Sequence, residues 1–300
     1  RTLMGRQNMP LLRVATCQFS TEPQIDKNRK SILKLMREAA EQKAHVAHFP
    51  ETGLSGYAGV DIPSTKEIDW DELVDATAEI QAEAKRRKLW ILLGSTHRLN
   101  EPNKPHNCIY VIDDKGNIVN RYDKRFCTGV CDPKKTLDLQ YYSPGNRFVT
   151  FKIRGVNCGV LICYDYRFPE LYREYKKLGV DVIFQSFHNA RKSVVRDGSY
   201  NIWRTIVPAT MACRAAENHF WISATNSAAK PSMWGSFAVR PDGHILGKLP
   251  LHKAAALITE MNVGGKYFDA PGPWRDRAMN GRLHSGELID DSRSADVTCL

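Results

Sequence analysis

Three residues of this 300-residue chain occupy the same kind of place, and together they could make and break a covalent bond. Glu51 follows the apolar run 44–49, Lys124 follows 118–122, and Cys163 ends the run Gly159-Val160-Leu161-Ile162. In open α/β sheets ligands bind beyond the carboxyl ends of strands, where loops and helix starts converge. A carboxylate, an ammonium and a thiol gathered there would supply a base, a stabiliser for a developing anion and a nucleophile. Each residue alone also has an ordinary reading. Cys163 could be one more buried core thiol, Glu51 a solvated acid after Pro50, and Lys124 part of the charged turn Arg121-Tyr122-Asp123-Lys124-Arg125. The residues after the cysteine favour chemistry. Tyr164-Asp165-Tyr166-Arg167-Phe168-Pro169-Glu170-Leu171 reads as a short loop running straight into a helix, whose N-terminal field favours a thiolate.

Phe49-Pro50-Glu51, Tyr122-Asp123-Lys124-Arg125 and Leu161-Ile162-Cys163-Tyr164-Asp165-Tyr166-Arg167-Phe168-Pro169-Glu170 resemble, in order, the three signature segments of the nitrilase superfamily, the carbon–nitrogen hydrolases. Tyr142-Ser143-Pro144-Gly145, Arg214-Ala215-Ala216-Glu217-Asn218 and Gly235-Ser236 ahead of Pro241-Asp242-Gly243 agree with this. The resemblance implies an α/β fold, a four-layer αββα sandwich of two mixed sheets flanked by helices. It also implies a Glu51-Lys124-Cys163 catalytic triad, with the main-chain N–H of Tyr164 assisting Lys124 at the oxyanion. No metal or organic cofactor is implied, and the assembly expected is a homodimer, or a higher homo-oligomer, built through the helical layer.

Tyr164-Asp165 with Arg167-Phe168-Pro169-Glu170-Leu171 is similar to the amidase branches, whereas true nitrilases usually carry Trp-Glu after the cysteine. The activity expected is thiol-dependent hydrolysis of a non-peptide carbon–nitrogen bond in a small amide or carbamoyl substrate, through a cysteine thioester, releasing ammonia or an amine. Hydrolysis of N-carbamoyl amino acids or of nitriles is the alternative enzyme reading. A catalytically weak binding or scaffold protein on the same fold is the alternative from another class.

Many family members carry a second glutamate between lysine and cysteine, yet no Glu lies between Lys124 and Tyr142. Asp138, six residues before Pro144, stands in that place as a candidate auxiliary acid, with Asp132 the lesser substitute. Reading Asp138 as a solvated acid in a Lys-rich loop stays open. Tyr57, His188, Asn189 and the segment 201–208 are candidates for substrate contact, by loop position and family likeness.

The elements that must position these residues alternate. Strand patterns at 13–19, 44–49 and 89–96 enclose helix patterns at 26–42, with Asp26 near its cap, and 69–88, begun by acids and ended by the basic run Lys85-Arg86-Arg87-Lys88. The runs 108–112 and 118–122 flank a turn signal, so the sheet is not purely parallel. A second hairpin is expected across Arg154-Gly155 from 147–153 and 157–163, then a helix with Pro169 in its first turn and a strand at 180–186. The segment 200–218 reads as a helix broken or begun afresh near Pro208, and strands at 220–224, 236–239, 245–249 and 255–259 close the core. About 13 strands would make an unusually wide open sheet, so two packed sheets fit better. Domain organisation is expected as an N-terminal extension at 1–12, one hydrolase domain at 13–263 and an extended tail at 264–300.

Composition excludes other classes. With 42% apolar and 25% charged residues the chain is neither disordered nor fibrous, and a globule of this size buries about three quarters of its surface. Lys and Arg (43) exceed Asp and Glu (33), giving +10. The basic residues fall in short runs near acids or at helix ends and no nucleic-acid motif accompanies them, so a solvated surface is expected and no nucleic-acid partner. No apolar run reaches the ~18 residues that span a bilayer and no secretory h-region opens the sequence, so no membrane partner and a cytoplasmic address are expected. The eight cysteines are scattered over a chain large enough to need no staples, so reduced thiols are expected. Cys127 and Cys131 lack a second pair at metal-ligand spacing, and His45 and His48 sit in a strand pattern.

Overall fold

The first strand shows how the layers arise in the computed structural model, which describes residues 10–129, 138–191 and 202–298. In β1 (Leu11–Gln18), Leu12 and Val14 join one buried cluster while Ala15 and Cys17 join another, because successive strand residues point to opposite faces. The second cluster is covered by α1 (Ile25–Glu41) and α2 (Trp70–Arg87). The first is shared with a second sheet, so apolar residues of both sheets form the interior.

One sheet holds β1, β2 (Val46–His48), β3 (Trp90–His97), β4 (His106–Ile112), β5 (Ile118–Asp123) and, beside β1, β12 (Ala255–Asn262). The other runs from β6 (Thr150–Ile153) through β7 (Val156–Ile162), β8 (Val182–Ser186) and β9 (Trp221–Thr225) to β10 (Phe237–Val239) and β11 (Ile245–Lys248). Each is mixed, with a parallel centre, β1-β2-β3 or β7-β8-β9, and antiparallel flanks. Helices α3 (Pro169–Lys177) and α4 (Trp203–Asn218) bury Leu171, Tyr172, Tyr175, Val207 and Met211 in the cluster of the second sheet. The expected α/β sandwich of two mixed sheets flanked by helices is therefore the architecture found.

A buried polar tie sets how the sheets face each other. His48 on β2 hydrogen-bonds Ser223 (2.9 Å) and Ser186 (2.8 Å), and Thr16 meets Ser223 at 2.7 Å. Burial pushes the His48 pKa down to about 3, so its ring is neutral and each nitrogen has a partner. His48 thus acts as a structural peg two residues before Pro50, with no ligand role. The basic run is equally structural: Lys85, Arg86 and Arg87 occupy the last turn of α2, where cations suit the dipole, and both arginines pair with Glu83.

Four expectations need correction. The described residues form twelve strands rather than 13. Helix α4 runs unbroken through Pro208, whose side chain is buried with Val207, Met211 and Ala215, so packing holds the helix across the missing N–H; residues 200 and 201 lie outside the described part. The segment after Gly264 is not extended throughout, since α5 (Gly272–Met279) docks through buried Arg275 on the Glu217 carbonyl (3.0 Å) and Asp269, and α6 (Ser292–Ala295) follows. Finally, a 3-10 turn at Cys163–Arg167 intervenes between Cys163 and α3.

Candidate active site

Three strand ends deliver Glu51, Lys124 and Cys163. Pro50 stops β2, and the turn after it places Glu51 with its side chain fully buried. Gly94 on β3 makes room: a Cβ there would stand 1.9 Å from the Pro50 carbonyl oxygen, so only glycine allows the turn to lie on the strand. Lys124 leaves β5 with its main-chain N–H on the Asn107 carbonyl (2.9 Å), and its own carbonyl takes the Gly145 N–H (2.8 Å). A Cβ on Gly145 would meet the Asp123 carbonyl at 2.3 Å, so the motif glycine is there for close approach. Cys163 follows β7 with φ at 41°, a left-handed conformation that costs a non-glycine residue about 1–3 kcal/mol. Asp165 holds that turn: its carboxylate accepts the Ile162 N–H (3.1 Å), the Phe126 N–H (2.8 Å) and the Tyr122 hydroxyl (2.8 Å), tying the cysteine loop to the lysine loop. Burial pushes the Asp165 pKa up to about 6 even so.

The side chains converge. Lys124 Nζ lies 2.8 Å from Glu51 Oε1 and 2.8 Å from Asp138 Oδ2, with Tyr57 Oη at 3.3 Å and Thr128 Oγ1 at 3.2 Å. Asn107 Nδ2 also donates to Glu51 Oε1 (2.8 Å), the His188 main-chain N–H donates to Glu51 Oε2 (3.0 Å), and the same carboxylate raises the pKa of the Cys163 thiol. Asp138 is buried, not solvated. It accepts the Tyr57 hydroxyl (2.5 Å) and the Thr128 N–H (2.7 Å) besides Lys124.

Electrostatics fixes the resting charges. Burial works against the Lys124 ammonium, but the Asp138 and Glu51 carboxylates outweigh it and hold its pKa well above the ordinary lysine value. Burial likewise opposes the Asp138 charge, yet Lys124 and the Tyr57 and Thr128 hydrogen bonds keep its pKa below the usual carboxylate range. For Cys163, burial and the adjacent Glu51 push the pKa well above that of a free thiol, with Lys124 only partly compensating. The thiolate expected from a helix field is therefore not the resting state. The helix α3 begins only at Pro169, and the dipole's influence fades within its first turn.

Of the remaining candidates, Tyr57 lies within the cluster and Tyr164 is the residue after Cys163 in the 3-10 turn. Asn189 is tied to Asn226, which accepts its N–H (2.7 Å) and donates to its carbonyl (3.3 Å). His188 reaches Glu51 through its main chain while its ring turns to Asp61. Asp132, Cys131 and Asn201 lie outside the described residues. Among the described residues no group of three or more His, Cys, Asp or Glu is placed to hold a metal ion, and six cysteines are free. Asn107, Thr128 and Asp61 went unnoticed in the sequence. Asn107 sits inside an apolar strand, and its role depends on a partner 56 positions away, so no local signal marked it.

A thiol, a carboxylate and an ammonium at the carboxyl ends of strands in an αββα sandwich define a cysteine-hydrolase type of site. The carbon–nitrogen hydrolase family model matches residues 13–265, and the chain belongs to that family. It is similar to nitrilase homolog 2 of Dictyostelium discoideum, 27% identical over 76% of this chain and 69% of that protein. It is also similar to omega-amidase NIT2 of Xenopus tropicalis, 26% identical over 80% of this chain and 85% of the relative. A solved structure of the same fold is a mutant of the amidase from Nesterenkonia sp. AN1 showing covalent addition of the acetamide moiety of fluoroacetamide at the active site cysteine. Its TM-score is 0.73 at 20% identity, over 91% of this chain and 97% of that one.

Proposed function

We propose that this chain is an amidase that hydrolyses the carbon–nitrogen bond of a small amide or carbamoyl compound through a thioester on Cys163. The observation that carries the reading is the buried Glu51 carboxylate, which holds the Lys124 ammonium at 2.8 Å and raises the pKa of the Cys163 thiol. Because the resting cysteine is a thiol, its proton passes to Glu51 as sulfur attacks the amide carbon. The tetrahedral oxyanion takes hydrogen bonds from Lys124 and the main-chain N–H of Tyr164; one such donor is worth about 3 kcal/mol. Glu51 then gives its proton to the departing nitrogen, leaving a thioester and ammonia or an amine. In the second half Glu51 removes a proton from water, which cleaves the thioester to the acid and restores the thiol. Asp138 keeps Lys124 charged and oriented, the task of the missing second glutamate. The amidase names of the omega-amidase relative and of the Nesterenkonia enzyme, with its modified cysteine, support this reading.

The finer assignments belong to the same proposal: a homodimer or higher homo-oligomer, and a cytoplasmic address to which free cysteines are suited. No helix among the described residues is long and apolar enough to cross a membrane. The test is ammonia release from ω-amides, carbamoyl amino acids and nitriles assayed in parallel, with Cys163→Ala beside the parent. Turnover of an amide or carbamoyl compound that vanishes in a folded Cys163→Ala variant supports the proposal, and near-parental turnover in that variant overturns it. Haloacetamide labelling, mapped by peptide because Cys213 is exposed, should modify Cys163.

A further inference from the structure

The imidazole of His188 takes no part in the hydrolytic steps, yet it is enclosed in the wall of the site. Its Nε2 lies 2.7 Å from Asp61 Oδ2, and both side chains are fully buried. Its ring stacks on Tyr57, with centroids 5.3 Å apart and planes 22° apart. Asp61 in turn accepts the Tyr57 main-chain N–H (3.0 Å) and holds Arg191 Nε at 2.7 Å. The main chain of the same histidine donates to Glu51 Oε2 at 3.0 Å, and that carboxylate in turn raises the pKa of the Cys163 thiol.

We propose that Asp61 and His188 form a buried positioning pair that fixes Glu51 through the His188 main chain, and the Asp138–Lys124 pair through the stacked Tyr57. The proposal rests on the amidase reading of this site. The physical argument is a matter of connectivity. Asp61 belongs to the loop that follows Glu51 in the first sheet, and His188 belongs to the loop after β8 in the second. Their contact therefore closes the site across the two sheets, at the place where Glu51 must meet the thiol. Tyr57 is held on three sides: its N–H by Asp61, its ring by His188 and its hydroxyl by Asp138, with Lys124 Nζ 5.5 Å from the ring centroid. A ring free to tilt would carry Asp138 and Lys124 with it. Burial alone lowers the His188 pKa, but Asp61, with Glu51 behind it, raises it above the ordinary histidine value, which favours a charged pair.

The test compares His188→Phe, which keeps the ring stack and removes the ion-pair partner of Asp61, with His188→Gln, which keeps a polar group there, with Asp61→Leu, and with the His188→Phe/Asp61→Leu double variant. Two readouts are taken: kcat and KM for the best amide, and the pH profile of Cys163 alkylation by iodoacetamide, which needs no turnover. Expected for His188→Phe is a kcat about 10- to 100-fold lower with KM within about threefold, as for a misplaced catalytic group. The alkylation profile should move to higher pH, because Glu51 loses a well-placed N–H and its charge then bears more heavily on the thiol. His188→Gln should recover most of the rate, and the double variant should be no worse than the poorer single one, since both changes remove one contact. Parental kcat and an unmoved alkylation profile in a folded His188→Phe variant overturn the proposal, as do additive effects in the double variant. Where His188→Phe does not fold, the comparison of His188→Gln with Asp61→Leu decides by the same two readouts. If the parent hydrolyses none of the amides while the alkylation profile still moves, the amidase reading falls and the positioning pair stands.

Discussion

Replacing Asp138 by asparagine isolates the charge of the auxiliary acid from its shape. The amide can keep the contacts: its oxygen faces Lys124 Nζ and the Thr128 N–H, now 2.8 and 2.7 Å from Oδ2, and its NH₂ faces the Tyr57 hydroxyl oxygen. The change removes the negative charge that, with Glu51, keeps Lys124 protonated despite burial. A hydrogen bond to a charged partner contributes about 1.5–3 kcal/mol, which converts to roughly 10- to 150-fold in rate if the transition state needs the lysine so placed. The same loss should lower Tm by roughly 3–12 °C in a domain of this size. A solvated acid would instead change stability by no more than about 0.5 kcal/mol and leave the kinetics alone. The assay is ammonia release, giving kcat/KM, with thermal melting of the same preparations and Glu51→Gln as the inactive control. Unchanged kcat/KM and Tm in Asp138→Asn, beside a dead Glu51→Gln, would refute the reasoning and leave a three-residue machine.

Gly94→Ala should displace the turn that carries Glu51, since its Cβ would stand 1.9 Å from the Pro50 carbonyl oxygen; kcat/KM falling by about 100-fold with a lower Tm is expected, and a fully active, equally stable variant would contradict it. Cys158→Ala should cost about 1 kcal/mol of stability, because Cys158 is fully buried in the cluster between the sheets, while activity per folded molecule stays at the parental level. Asp165 has a folded pKa of about 6 against an ordinary 3.8, so the folded protein binds the extra proton and stability should fall as pH rises across that interval, by up to about 3 kcal/mol. Melting temperatures from pH 3 to 7 should show this slope in the parent and a flatter one in Asp165→Asn. Asp61 and Asp138 have lowered pKa values, so their contribution is present above pH 3.8 and is lost as pH falls below it; a parent whose Tm rises on acidification below that point would exclude the pairing.

The parts of this site that could be read from the chain are those that local pattern determines. Apolar runs long enough to be strands end at Glu51, Lys124 and Cys163, and strand ends are where an α/β sheet collects its chemistry. The flanking motif prolines belong to the same local logic. Pro50 and Pro169, a strand stop and a helix start, are legible in this way, whereas Gly94 and Gly145 answer to the backbone of Pro50 and Asp123, far along the chain. The charge states were not legible in this way. Whether Asp138 is solvated or buried is decided by Tyr57, 81 positions away, and by Lys124 on another loop, and no window of sequence contains both. Reading Cys163 as a thiolate went wrong for the same reason. The helix start is near in sequence, whereas burial and, after it, a carboxylate from the other sheet set the state of the sulfur. Coulomb energy falls off with distance and grows in a dry interior, so a carboxylate that bears on the thiol outweighs a helix end several residues off. Under the proposed mechanism the thiol's proton has the Glu51 carboxylate as its acceptor, while Lys124, held charged by two carboxylates, stays in place for the charge that develops on the substrate.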